Sequence, residues 1–372
     1  MSAAERLISE GRLLITAGAG GVGKTTTAAA LAVTAAARGR RTAVITIDPA
    51  RRLADALGLD ALTNAPTQVD PALFEASGLH GAAPLHALML DMKSTSDDMV
   101  RRFAPSDEQA ERIFANPYYQ SFSSALPGTQ EYMAIERVHG LVRSGAFDLV
   151  VLDTPPAVHA LDFLDAPDRL LSALDNKAVD WVLRGREGGL LGRSANLIFR
   201  ALNKMTGGPF LQDLATFLST FSVLFDAFKA SSRGVYALLR EPTSAFMMVT
   251  TPHPGAIEEA EAFLEQLASR DLHCGALVLN RVHEDRPLDP STLGPVRAAI
   301  SALPASDQAT LQRLMVQMEA GWAAHQRMAR RDAEMLQALD RPHLPPNIRI
   351  PLFAEDVYAL SDLHRIGEFM LG

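Results

Sequence analysis

Short apolar runs recur along the chain and are separated by longer stretches in which apolar residues follow helical spacing. Continuous runs rich in Val, Ile, Leu and Ala are typical of strands buried on both faces of a parallel sheet, with helices as crossovers. The pattern therefore predicts an α/β fold with three layers, α/β/α, around a parallel sheet. The predicted strands are Leu13–Thr16, Ala43–Ile47, Ala87–Leu90, Leu149–Leu152, Phe246–Thr250, Ala276–Leu279 and Ile348–Leu352.

Two intervals between predicted strands are too long for simple crossovers, and both carry helical patterns. We expect residues 93–147 and 166–240 to form an inserted helical subdomain on one side of the sheet. The core then comprises residues 1–92, 148–165 and 241–372.

Two single helices are well marked. Residues 25–38 are alanine-rich, and Gly39 is expected to end that helix. Residues 306–340 carry apolar side chains at near-heptad spacing, which fits either a dimer contact or a helix packed on its own domain. The members of this stripe are Leu311, Met315, Met318, Trp322, His325, Ala329 and Leu336.

Charge and composition exclude several classes of protein. The formal net charge of −8 and the pI of about 5.7 argue against a nucleic-acid surface. No apolar run reaches the roughly 20 residues of a membrane span, so we expect a cytoplasmic protein that is not an integral membrane protein. Cys274 is the one cysteine, which rules out a disulfide within the chain and a thiolate zinc site made by one chain.

The stretch GAGGVGKT matches the pattern G-x-x-x-x-G-K-[ST] of a phosphate-binding loop and lies between a predicted strand and a predicted helix. Glycines let successive N–H groups face phosphate oxygens, and the helix N-terminus adds partial positive charge. Lys24 is expected to reach the β- and γ-phosphates of ATP, and the Thr25 hydroxyl to bind Mg²⁺. The expected nucleotide-binding residues of this loop are Gly18, Gly20, Gly21, Val22, Gly23, Lys24, Thr25 and Thr26.

Two predicted strands end in an aspartate behind this loop. Asp153 closes the run LVVLD and is expected beside the phosphates, where it would hold the water shell of the metal. Asp48 follows the run AVITI and is expected to orient or deprotonate an attacking water.

These motifs resemble those of the arsenite-pump and tail-anchored-protein-targeting ATPase family, a branch of the deviant P-loop ATPases. The resemblance covers residues 13–367 and lies in the loop GAGGVGKTT, the first switch DPARRLADAL, the second switch DTPPAVHALDFL, the element PGTQE, the strand end VLNR and the closing IPLF. It implies a magnesium-dependent, ATP-hydrolysing dimer whose helical subdomains open and close with the nucleotide. It further implies that Asp48 activates water, that Thr25 and Asp153 serve the metal, and that Asn280 and Pro351 flank adenine. His159 aligns with a switch histidine that tethers the switch.

The chain departs from this family at the second position of the loop. The family has a lysine there that reaches the phosphates of the partner chain, whereas this chain has Ala19. We therefore expect slow hydrolysis by the isolated chain, acting as a homodimer or as a heterodimer with a paralogous chain that carries the lysine. Arg51 and Arg52, which replace other residues of the first switch, are alternative sources of the missing charge.

The apolar stripe between Pro209 and Arg240 is compatible with a groove for a hydrophobic client helix and with ordinary core packing. Its large members are Leu211, Leu214, Phe217, Leu218, Phe221, Phe225 and Phe228, and Met89, Met92, Met99 and Met133 are further candidates for either role. Arsenite transport is disfavoured because metalloid-binding members need several thiols.

Two other functions remain alternatives. A positioning ATPase of the MinD or partition type needs a basic patch or a basic amphipathic C-terminal helix, and the tail LSDLHRIGEFMLG is mixed in charge. A metabolic ligase or kinase is the other alternative, and it would have a small-molecule pocket in place of an apolar groove.

Overall fold

A computed structural model describes residues 1–48, 51–116, 119–120, 129–154, 225–285, 290–355, 357 and 359–372. Its strands are β1 (Leu13–Ala17), β2 (Thr42–Thr46), β3 (Thr67–Gln68), β4 (Leu85–Met89), β5 (Leu149–Asp153), β6 (Ser244–Thr250), β7 (Cys274–Val282) and β8 (Asn347–Pro351). In the described part of the chain these strands form one eight-stranded sheet in the order β3-β4-β2-β5-β1-β6-β7-β8. All neighbours pair in parallel except β3 and β4.

All the predicted strands are present, so the α/β class with a parallel sheet is confirmed. The sequence prediction missed β3, which pairs antiparallel with β4 at the edge of the sheet. Its two residues are too few to leave an apolar run, and both are at least partly exposed.

Twelve helices lie in the described residues. They are α1 (Ala3–Glu10), α2 (Lys24–Ala37), α3 (Arg52–Ala56), α4 (Pro71–Ala76), α5 (Met92–Phe103), α6 (Asp107–Phe114), α7 (Thr129–Ser144), α8 (Phe225–Arg240), α9 (Pro254–Ser269), α10 (Pro290–Ser301), α11 (Ala305–Ala338) and α12 (Leu360–Leu371). The alanine-rich helix predicted at residues 25–38 is α2, which is buried along most of its length. Small side chains on α2 let the sheet and α12 approach it closely.

Helices cover both faces of the sheet and create two apolar cores. One core joins strand side chains to α1, α2 and α12, and the other joins them to α7, α8, α9 and α11. Val138 of α7 and Leu239 of α8 are buried in the second core, so these two helices pack directly on the sheet. Met99 and Met133 are buried in the same core, which makes them core residues and not groove surface. The boundaries of the helical subdomain stay a prediction.

The long helix predicted at residues 306–340 is α11. Ala329 and Leu336 of its apolar stripe are buried against the domain, as expected for a helix packed on its own chain. Met318, nearer the N-terminus of α11, is 59% exposed, so the stripe is not covered along its whole length.

The contact between α12 and α2 depends on Gly367. A Cβ atom at this position would lie 1.7 Å from Thr34 Oγ1 and 2.9 Å from Thr34 Cβ, inside the core. We expect Gly367→Ala to push α12 off α2 and to lower the free energy of unfolding by about 1–3 kcal/mol. Gly140→Ala is the matched control, since Gly140 is also helical but has no atom within 4 Å of its Cβ position. That variant should gain about 0.5–1 kcal/mol, and urea unfolding midpoints that rank the two variants the other way would contradict the packing described.

Candidate nucleotide-binding site

The order of the strands brings the predicted site residues to one edge of the sheet. Central β1 lies between β5 and β6, and β2 lies on the far side of β5. Carboxyl ends of parallel strands share an edge, where crossovers that leave in opposite directions open a crevice for ligands. The register pairs Asp153 of β5 with Thr16 of β1 and with Thr46 of β2. The polar side chains that follow these strands are therefore neighbours.

The phosphate-binding loop connects β1 to α2, which begins at Lys24. Gly23, the residue before the helix, has a φ of +100°, in the region that favours glycine. A Cβ atom on Gly23 would also lie 2.2 Å from Asn280 Nδ2. Gly20 and Gly21 are exposed, and Thr26 is partly exposed in the first turn of α2. The loop and the N-terminus of α2 together make a place where an anion could bind.

Lys24 folds back over this loop. Its Nζ donates a hydrogen bond of 2.8 Å to the carbonyl oxygen of Ala19. Burial lowers the pKa of Lys24, and the carboxylates of Asp153 and Asp48 oppose that shift. A buried ammonium group with two nearby carboxylates is well placed to meet an incoming phosphate, which would offset the cost of its burial.

Asp153 is the best-connected side chain of the site. Its Oδ2 accepts hydrogen bonds from Thr25 Oγ1 at 2.7 Å and from Thr46 Oγ1 at 3.0 Å. Its Oδ1 is buried and has no hydrogen-bond partner among the described residues. Burial raises the pKa of Asp153, and the two hydroxyl groups oppose the shift.

This oxygen-rich arrangement fits a magnesium ion. Mg²⁺ takes oxygen ligands and keeps several of its waters, so a hydroxyl and a nearby carboxylate suit it better than a full cage of protein ligands. The unpartnered Asp153 Oδ1 is an acceptor that a metal-bound water would satisfy. When bound, the ion would neutralise charge on the phosphates. Thr25 is therefore the candidate ligand, and Asp153 is the candidate for holding the water shell.

Thr46 is a site residue that sequence reasoning missed. Besides donating to Asp153, its Oγ1 accepts a 3.2 Å hydrogen bond from the backbone N–H of Asp48. It therefore links the two aspartates. The available signal was a single hydroxyl residue at the end of the apolar run AVIT, two positions before Asp48.

Asp48 lies at the mouth of the site. Its side chain is 39% exposed, and its Oδ2 is 4.0 Å from Nη1 of Arg52. Arg51 behaves differently, because its guanidinium donates a hydrogen bond to the carbonyl oxygen of Asp60. The sequence does not distinguish the two arginines, but the fold gives them different partners.

The predicted base-binding residues lie at the ends of β7 and β8. Asn280 Nδ2 donates a 2.8 Å hydrogen bond to the carbonyl oxygen of Val22 in the phosphate-binding loop. Pro351 lines a cavity of about 720 Å³ together with Phe353 and with Trp322 and His325 of α11. Sequence reasoning placed Trp322 and His325 in a packing stripe, because about forty residues separate them from the motif around Asn280 and no local pattern joins the two segments.

Several predicted features fall elsewhere. The second-switch histidine His159 and most of the stripe between Pro209 and Arg240 lie outside the described residues. Cys274 lies in β7, where burial raises the pKa of its thiol to about 12 and makes it a poor nucleophile. Among the described residues, no group of three His, Cys, Asp or Glu side chains could hold a metal.

A glycine-rich loop between the central strand and a helix, with a lysine and a threonine opening that helix and an aspartate on the neighbouring strand, defines a P-loop nucleotide-binding protein. The family model of the anion-transporting ATPases (ArsA ATPases) matches residues 11–295 of the 372-residue chain. The chain belongs to this family and is an ATPase. No helix in the described part of the chain is long and apolar enough to cross a membrane.

Similar proteins carry related names. The chain is 29% identical over 268 residues to the ATPase ARSA2 of Chlamydomonas reinhardtii, a match that covers 71% of this chain and 66% of that protein. It is 26% identical over 282 residues to the ATPase ASNA1 homolog of Dictyostelium discoideum, covering 75% of each. It is also 26% identical over 276 residues to the ATPase GET3 of Chaetomium globosum, covering 74% of each.

The buried carboxylate of Asp153 predicts a pH-dependent effect on stability. Because its folded pKa lies above the unfolded value of about 3.9, ionisation of Asp153 opposes folding at neutral pH and does not oppose it at acid pH. Asp153→Asn should therefore raise the free energy of unfolding of the nucleotide-free chain at pH 7, with less gain near pH 3. The same change should weaken Mg²⁺ binding by about 10–100-fold, measured as the loss of the thermal shift that MgCl₂ adds to ATP alone.

Asp148→Asn is the control, because Asp148 immediately precedes β5 and its pKa is shifted in the direction opposite to that of Asp153. Hydrogen bonds from Arg41 lower the pKa of Asp148 to about 2, so its contribution to stability is present at neutral pH and disappears as the pH falls. This control variant should lose stability at pH 7 and keep its response to magnesium. Equal shifts in the two variants would contradict the burial assigned to Asp153.

Proposed function

We propose that the chain is a magnesium-dependent dimeric ATPase whose nucleotide state controls the binding of an apolar protein segment. The observation that carries the catalytic half of this proposal is the pair of hydroxyl groups, Thr25 and Thr46, that converge on Asp153 beside the phosphate-binding loop. The family assignment and the relatives named ATPase GET3 support it.

The residues at the loop divide the work of hydrolysis. The loop N–H groups and Lys24 would hold the phosphates, Thr25 and Asp153 the magnesium, and Asn280 and Pro351 the adenine. Asp48 has the exposure and the fixed backbone that a residue needs to orient a water molecule at the open side of the phosphates. Stabilisation of developing charge is usually the largest contribution to such a reaction, so the number of cations at the γ-phosphate decides the rate.

Ala19 limits the number of cations that two identical chains can bring to the γ-phosphate. Its side chain carries no charge, and its carbonyl oxygen is already the acceptor of the Lys24 hydrogen bond. We infer that a dimer of identical chains hydrolyses ATP slowly. A heterodimer with a paralogous chain that has lysine at this position would be faster.

Substitution of Ala19 tests this limit. Ala19→Lys should raise kcat of the isolated chain on the order of tenfold or more, because it supplies a cation to the partner's phosphates. Ala19→Met is the matched control, since methionine has a similar length and no charge, and it should leave kcat unchanged. Turnover is measured by phosphate release, with sedimentation in the presence of ATP to record the dimer. A rise in both variants, or in neither, would remove the proposed role of charge at this position.

The client half of the proposal rests on the family and on the helices around the site. Among the described helices, α7 leads into β5, which ends at Asp153, so a change at the nucleotide has a short route into the helical region. Arsenite transport has little support, because Cys274 is the one cysteine and burial raises the pKa of its thiol. The hydrophobic stripe between Pro209 and Arg240 remains the predicted contact.

A stalled enzyme tests for the client. Asp48→Asn should bind ATP without turning it over and should retain an apolar 20-residue helical peptide in a pull-down, whereas the same protein with ADP should release it. A peptide in which two central leucines are replaced by lysine is the control. Co-sedimentation with liposomes or DNA in place of peptide capture would favour a positioning ATPase, and capture of neither would remove the client role.

A further inference from the structure

Charged side chains of both signs lie at the phosphate-binding loop. Asp153 and Asp48 both act on the buried ammonium group of Lys24, and Arg52 is paired with Asp48 on the outer side. Lys24 and Arg52 are close enough for their like charges to oppose each other. Asp48 thus lies between two cations, one fixed on the loop and one at the open mouth of the site.

The backbone of Arg52 is held firmly while its side chain is not. Arg52 opens α3, and the next residues, Leu53 and Ala54, are buried, Leu53 in the same core as the helix that follows the phosphate-binding loop. The Arg52 side chain itself is 71% exposed, and its distance of 4.0 Å to Asp48 is at the limit of an ion pair. Exposed pairs of this kind contribute only about 0–1 kcal/mol, so Arg52 loses little when it turns to another anion.

Arg51 does not share this position. Its guanidinium donates a hydrogen bond to the carbonyl oxygen of Asp60, in the segment that follows α3. The two neighbouring arginines therefore have different partners, one a structural carbonyl and one the aspartate at the mouth of the site.

We propose that Arg52 is a catalytic cation for ATP hydrolysis that acts within its own chain, leaving Asp48 and binding the γ-phosphate as the transition state forms. This inference rests on the proposed ATPase site and adds a residue to it. In the step, the oxygen of water forms a bond to the γ-phosphorus, and the bond from that phosphorus to the bridging oxygen breaks with its electron pair going to ADP. The proton of water passes to Asp48 and then to phosphate, while Arg52 stays protonated throughout.

The charge arrangement favours this movement once ATP is bound. The γ-phosphate adds negative charge between Lys24 and Arg52, which relieves the repulsion between the two cations. Once Arg52 has turned to the γ-phosphate, the Asp48 carboxylate can face the attacking water and accept its proton. A planar guanidinium also matches two phosphate oxygens at once, a geometry that a lysine cannot provide.

The experiment compares Arg52→Ala, Arg52→Lys and Arg51→Ala in the full-length chain. Arg52→Ala should lower kcat by roughly 10²–10³-fold while the Kd for ATP changes by less than about threefold. Arg52→Lys should recover part of the loss, and guanidinium ion added to Arg52→Ala should raise its turnover without affecting the unsubstituted chain. Arg51→Ala should keep kcat within about twofold. Because Arg52 acts in its own chain, its loss should be the same in the Ala19→Lys background.

The role of Arg52 can also be tested by a binding measurement, which needs no turnover and so suits a slow enzyme. ADP with aluminium fluoride and MgCl₂ imitates the transferring phosphate, and its Kd should rise in Arg52→Ala but not in Arg51→Ala, while the Kd for ADP alone stays unchanged in both. Equal affinity of Arg52→Ala and the unsubstituted chain for this complex, or equal losses in the two arginine variants, would overturn the assignment. Failure of peptide capture, by contrast, would remove the client role and leave the assignment of Arg52 intact.

Discussion

The site depends on one carboxylate oxygen that two separate elements share. Asp153 Oδ2 accepts hydrogen bonds from the hydroxyl groups of Thr25, at the start of α2, and Thr46, at the end of β2. These bonds fix the phosphate-binding helix relative to two strands, and the parallel register sets Asp153 level with Thr46. The pairing of β5 with its neighbours therefore also sets the geometry of the site, because a slip of one residue in register would turn the Asp153 side chain to the opposite face of the sheet.

The same carboxylate carries an energetic cost that a ligand can offset. Its other oxygen is buried without a partner in the described residues, and burial is the largest cause of its raised pKa. Lys24 carries the complementary cost, since its ammonium group is buried on the loop. A nucleotide with its metal brings the missing charge of each sign, so binding should stabilise the fold by more than its direct contacts.

The helical region connects to this site through short segments and shared packing. Residues 145–148 join α7 to β5, and residues 241–243 join α8 to β6, so the strands flanking β1 continue directly from the two helices. Buried Glu136 of α7 binds Arg102 of α5 at 2.7 Å and accepts a hydrogen bond from Ser231 of α8 at 2.5 Å. Buried polar groups with all their hydrogen bonds made hold helices in one arrangement, so α5, α7 and α8 can respond as a unit to a change at the site.

The sequence by itself determined the buried strands, the phosphate-binding loop and the aspartates at strand ends, because apolar runs and glycine spacing act through local geometry. It did not determine β3, whose two residues leave no pattern, or the role of Thr46, which depends on the register between β2 and β5. Only the tertiary structure separated Arg52 from Arg51 and brought α11 to the cavity beside Pro351. The cavity joins α11 to the end of β8, which no sequence pattern links. The partner of each arginine is close in the sequence, but it depends on how the chain packs around α3.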